Sequence, residues 1–172
     1  MPIGITAGIQ SRFYQQEINK MPLLNYTTKV DADKTAQEIA KILSLHGAKS
    51  VLTDYEDGIV SAISFKISLN GNDISFRLPC DWRPVLEVLN GQLPELKTWH
   101  RNYEHLLSER RLQAVRTAWR IVKDWTEAQM ALVETQMVST TQVFLPYAVG
   151  KDGKTLFEKV VQNPGFLLGD GK

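Results

Sequence analysis

Cysteine occurs once in 172 residues, as Cys80. No internal disulfide can form, which fits a reducing compartment. No stretch approaches the roughly 18 apolar residues of a membrane span. The amino terminus lacks a basic-then-apolar leader, so a cytoplasmic protein is expected. An excess of one charge is missing too. The 20 Lys and Arg stand against 19 Asp and Glu, a net charge of +1, so no global field draws the chain to a polyanion. What remains, 43% hydrophobic and 23% charged, is the composition of a globular domain. A chain of this length buries roughly 70% of its unfolded surface and needs no metal or disulfide to fold. One domain is expected over residues 21–172. Residues 1–20 have weak periodicity and read as an amino-terminal extension or arm, because a start-like "MPLLNYTTKV" follows at Met21.

The chemistry-bearing residues do not assemble into a motif. His100 and His105 are five apart, about 140° round a helix, whereas helical zinc ligands stand three or four apart on one face. His46 falls at a helix end, where a cationic ring suits the last carbonyls. Cys80 has no base beside it in sequence and reads as a structural thiol. Asp54, Glu56 and Asp57 cluster at a hairpin, the usual place for acidic turn residues. "GKDGKT" lacks the spacing of a phosphate loop and reads as a turn. No catalytic residue, metal or cofactor is assigned.

Periodicity organises the rest into an α+β fold. "LNYTTKV" (24–30) is β-branched and aromatic and reads as a short strand. A helix follows over about 32–46, with Asp31 or Asp33 capping it, Ala36, Ile39, Ala40 and Leu43 on one face, and Gly47 ending it. A meander comes next: 50–55, a turn at Glu56-Asp57-Gly58, 59–69, a turn at Asn70-Gly71, and 73–78. Ile59, Ile63, Phe65 and Ile67 alternate inward, as do Ile74, Phe76 and Leu78. Three antiparallel strands with one apolar face need a cover, and the preceding helix is the candidate. A short helix spans 83–91 with Pro84 in its first turn. After the long helix, 141–149 reads as strand or extended chain and "TLFEKVVQ" as a short helix. Phe166 and Leu167 in the terminal loop are positioned to dock on a neighbour. The segments 24–30 and 141–149 are candidates to enlarge the three-stranded sheet.

The long helix runs from about 99 to 137. Val115, Ala118, Trp119, Val122, Trp125, Gln129, Leu132, Val133 and Gln136 form its apolar stripe. Gln113, Arg116, Arg120, Lys123 and Glu127 form its wet face, with Arg120–Asp124 and Lys123–Glu127 as pairs four apart. About 35 residues span about 52 Å, more than the roughly 40 Å diameter of a domain this size. Either the helix breaks near Leu107-Ser108 or its far end packs on another subunit. Gln129, Leu132, Val133 and Gln136 are the candidate contacts in a homo-oligomer.

Residues 96–125 carry seven Lys and Arg against three acids, a local excess of four. They read either as a solvated helix face or as a phosphate-facing strip. In the second reading Arg110, Arg111, Arg116, Arg120 and Lys123 hold backbone phosphates, joined by Lys66 and Arg77 on the open sheet face. The order helix, meander, helix over 32–91 matches the outline of the double-stranded RNA-binding domain, but the start of the second helix, "PCDWRPVLEV", has only Arg83 where that module has a basic cluster.

Four stretches, "LNYTTKVDADKTAQEIAKILSLHGAKSVLTDYEDG", "ISFRLPCDW", "RTAWRIVKDWTEAQMALVE" and "VFLPYAV…DGKTLFE", resemble a family of small uncharacterised proteins encoded by phages, prophages and related mobile elements. The resemblance spans about residues 21–160. It implies a role in mobile-element nucleic-acid transactions or in defence and counter-defence, and carries no catalytic residues. The leading expectation is a non-enzymatic factor that binds nucleic acid or a nucleoprotein complex. The alternatives are a protein-binding inhibitor or assembly subunit acting through the long helix, and a metal-dependent nuclease built on the acidic hairpin.

Overall fold

The structure is a computed structural model that describes residues 21–99 and 101–165. The expected arm (1–20), His100, Phe166 and Leu167 lie outside the described residues. The chain is α+β: helix α1 (Ala32–Leu45), strands β1 (Ser50–Glu56), β2 (Ile59–Leu69) and β3 (Asn72–Arg77), then helices α2 (Trp82–Gln92), α3 (Tyr103–Glu134), α4 (Thr140–Phe144) and α5 (Leu156–Gln162). Two compact units divide these elements. One combines residues up to Lys29 with Asp81–Ala118; the other combines Val30–Cys80 with the residues from Trp119 onward. The chain passes from one to the other within α3.

In the sheet unit, α1 packs on β1 and β2 through Ala36, Ile39 and Leu43. The carbonyl of Asp31, not its carboxylate, takes the first-turn bonds, from the Thr35 amide and hydroxyl. Gly47, at φ +91°, ends the helix: the amides of Gly47 and Ala48 reach back to the carbonyls of Ser44 and Leu43. The strands run antiparallel in the order β1-β2-β3. Both hairpins turn on two residues of positive φ, Asp57-Gly58 and Asn70-Gly71.

Strict alternation fails at one place in β2. Asp54 pairs with Ala62 and Tyr55 with Val60, so Ser61 is an extra residue, a β-bulge. The bulge changes which residues face inward. Val60 is buried where alternation expects Ile59, which is only half-buried. The indole Nε1 of Trp119, a 1% exposed side chain, donates to the Val60 carbonyl at 3.0 Å.

The two segments expected to enlarge the sheet do not form strands. Residues 23–28 make consecutive turns, with Asn25 left-handed at φ 62°. Residues 140–144 are helical because Ser139 and Gln142 form a capping box, each side chain bonding the other's backbone amide. The backbone of this segment pairs with the sheet at Ala148 and Val149, as an isolated bridge beside β3 and a bond from the Val149 amide to the Ser75 carbonyl. The helix α4 delivers Phe144 edge-on to Phe65, Phe76 and Trp125, at centroid distances of 5.1, 6.2 and 5.6 Å.

The helix α3 is unbroken through Leu107-Ser108 and, at 32 residues, is about 48 Å long. It stops at Glu134, not near 137, because Gln136 is left-handed at φ 58°. The amides of Gln136 and Met137 cap the carbonyls of Val133 and Leu132.

Two stability predictions follow from this geometry. Trp119→Phe removes the indole donor and leaves the Val60 carbonyl buried without it, which costs about 1–3 kcal/mol. A urea midpoint unchanged from wild type would refute the bond. Gln136→Gly relieves left-handed strain and gains about 0.5–1 kcal/mol after the glycine's greater unfolded freedom is counted. A loss in the same assay would refute the strain.

Candidate nucleic-acid interface

The cations named from the sequence separate by environment. In the first unit, Arg110 donates from Nη1 to the Asn90 side chain and from Nη2 to the Pro94 carbonyl, each at 3.0 Å, fixing the loop after α2. Arg111 lies 4.9 Å above the Trp82 ring, and Arg83 lies 5.4 Å from the same ring. Gln113, on the side expected to be wet, donates to the carbonyls of Tyr26 and Thr28, and the buried Thr117 donates to that of Asn25. They satisfy the backbone of the turn segment where a strand partner would otherwise be needed. Arg116 is half-buried.

In the sheet unit, Arg120 pairs with Glu38 of α1 rather than with Asp124, and its side chain is 18% exposed. Lys123 pairs with Glu127 at 2.6 Å, as the spacing four apart predicts, and is 14% exposed. These two charges are already answered by carboxylates of this chain. Of the residues named as subunit contacts, Gln129 and Val133 are half-buried, Leu132 is exposed, and Gln136 lies in the turn beyond the helix.

Lys66 and Arg77 differ from Arg120 and Lys123 in exposure, although each acts on a carboxylate, Asp73 and Glu158. Both are exposed on the sheet face opposite the core. The register places Ser50, Lys66 and Ser75 in one row across the strands and Leu52, Ser64 and Arg77 in the next. These residues, Val149 and the buried Phe65 line a shallow recess of about 200 Å³. The Lys49 ammonium, bonded to Asp73 at 2.6 Å, holds that carboxyl below its ordinary range, with Lys66 contributing. The Thr155 amide and hydroxyl hold the Glu158 carboxyl low, and Arg77 adds to this through its charge. The floor of the recess is thus made of serines with Leu52, Phe65 and Val149, and two of its corners are cationic.

The acidic hairpin does not gather. Among the described residues, no group of three or more His, Cys, Asp or Glu side chains is placed to hold a metal ion. Cys80 is half-buried and free of disulfide. Among the described residues, no helix is long and apolar enough to cross a membrane.

His46 is the described histidine with a built environment. Nδ1 lies 2.7 Å from the Ile42 carbonyl and Nε2 2.8 Å from Glu134 Oε1. Both partners are acceptors, so only the doubly protonated ring donates to both. The Ile42 bond, opposed by partial burial and reinforced by Glu134, raises its pKa above the ordinary 6.5.

No protein-family model, no curated protein and no solved structure matches this chain.

The raised pKa of His46 sets a pH dependence. A group whose folded pKa exceeds its unfolded value contributes fully below the unfolded value. The contribution of His46 is therefore complete below pH 6.5 and declines as pH rises through its higher folded pKa. Glu134→Gln should lower the pKa of His46 in an NMR titration and flatten the decline in stability above neutrality. A His46 titration at or below 6.5 in the wild type would contradict the two-acceptor geometry.

Proposed function

We propose that this protein is a non-enzymatic accessory factor of the phage and mobile-element type that binds nucleic acid or a nucleoprotein complex through the open face of its sheet. The observation that carries the reading is the pair Lys66 and Arg77, exposed on one face around the shallow recess. Among the cations named from the sequence, Arg120 and Lys123 are drawn to acids of their own chain and Arg110 to a loop. That moves the centre of the interface from α3 to the sheet. In the other unit, Arg111, exposed and stacked on Trp82, is a separate candidate contact.

A second reading, a protein-binding inhibitor or assembly subunit, draws support from the first turns of α3. There Leu106 and Leu107 are exposed, and Trp99 just before them is 76% exposed. Retention of a protein partner after nuclease treatment, lost in a Leu106→Asp, Leu107→Asp variant, would favour it.

The first reading is tested by retention of a labelled mixed-sequence oligonucleotide pool at low salt. Lys66→Glu with Arg77→Glu should abolish retention and leave the melting temperature near wild type, because both side chains are exposed and water screens the new charges from Asp73 and Glu158. Arg120→Glu should instead lower the melting temperature, because it sets two carboxylates together. Full retention by the double charge reversal would count against the sheet face.

A further inference from the structure

We infer that the ligand of the open sheet face is the phosphodiester backbone of a duplex, not the bases of a single strand. The inference rests on the nucleic-acid reading above. Single strands are held by aromatic side chains on which bases stack. The outward positions that line the recess are Ser50, Lys66 and Ser75 in one row and Leu52, Ser64 and Arg77 in the next, and no ring stands among them. Phe65 and Phe76 of the same unit are buried and stack at 5.3 Å, and Phe144 meets both edge-on; the exposed rings of the unit, Tyr55 and Phe157, are not among the residues that line the recess.

What these two rows offer is two cations, which only donate, and three hydroxyls, which donate or accept; the carboxylates of the face, Asp54 and Asp73, stand in the flanking rows, Asp73 bonded to Lys49. Phosphate oxygens only accept, so they match this set better than base edges, which carry donors of their own. Lys66 and Arg77 are diagonal neighbours on paired strands, about 7–8 Å apart at Cα. The ladder between β2 and β3 fixes that spacing. Phosphates on a duplex are likewise fixed in spacing, so the two can meet with little ordering of either, whereas a flexible strand must be immobilised with no stacking in return. The serines keep the floor low, so the two longer side chains reach a convex backbone. With no base-edge reader, the binding is independent of sequence.

The test uses the full chain with a labelled duplex of about 20 base pairs and each of its single strands, at about 50 and 200 mM salt. The duplex should bind about tenfold tighter than either strand. A second duplex of scrambled sequence should bind equally. Lys66→Ala and Arg77→Ala should each reduce the slope of log affinity against log salt by about 1, with circular dichroism unchanged. A single strand bound as tightly as the duplex, or more tightly, would overturn this inference and leave the proposed function standing. Duplex preference with slopes unchanged in both variants would overturn the assignment to this face. If neither form binds, the proposed function fails and this inference fails with it.

Discussion

A buried indole N–H must find an acceptor, and the one on Trp119 finds it at Val60, the residue that the β-bulge turns toward the core. An unsatisfied group at that depth costs as much as a lost hydrogen bond, so the position of the bulge and the rotation of α3 are set together. Once Trp119 is fixed, its neighbours have limited choices. Arg120 reaches Glu38 on α1, Trp125 meets Phe144 and Tyr147, and Glu134 reaches His46. The sheet unit is organised by one helix whose side chains each answer a different element.

The amino-terminal half of α3 makes equally polar connections in the other unit. Its side chains bond to carbonyls of loops and turns: Arg110 to Pro94, Gln113 to Tyr26 and Thr28, Thr117 to Asn25. The segment 21–28 thus needs no strand partner, and Gln92 of α2 adds bonds to Met21 and Leu23. Among the described residues, no buried side-chain nitrogen or oxygen lacks a partner.

Much of this fold was legible where local pattern and tertiary role agree. Helix α1 shows its stripe and its Gly47 stop, and both hairpins show residues that tolerate positive φ. The stripe from Val115 to Val122 is buried as read. Reading failed where aromatic and β-branched residues serve something other than a strand. Phe144 and Tyr147 look like strand residues but pack from a capped helix and the turn after it; the Ser139…Gln142 spacing was the readable sign. The charges were the least legible part. Arg120 has Asp124 four residues on, yet its partner is Glu38, 82 positions away, and no periodicity reports a bond of that span. Lys66 and Arg77 were legible as outward residues, but the recess joining them depends on the register of three strands.

The division within α3 has a consequence for how the polypeptide is made. Each unit is assembled from separated stretches of chain, and each receives part of its packing from α3. On the ribosome the meander emerges well before residue 119 does, so the Val60 carbonyl waits for a donor some 59 residues behind it. No contiguous fragment ending before α3 contains a finished unit, and Phe144 joins the core from α4, so nested truncations from the carboxyl end should yield insoluble or protease-sensitive products until both helices are present.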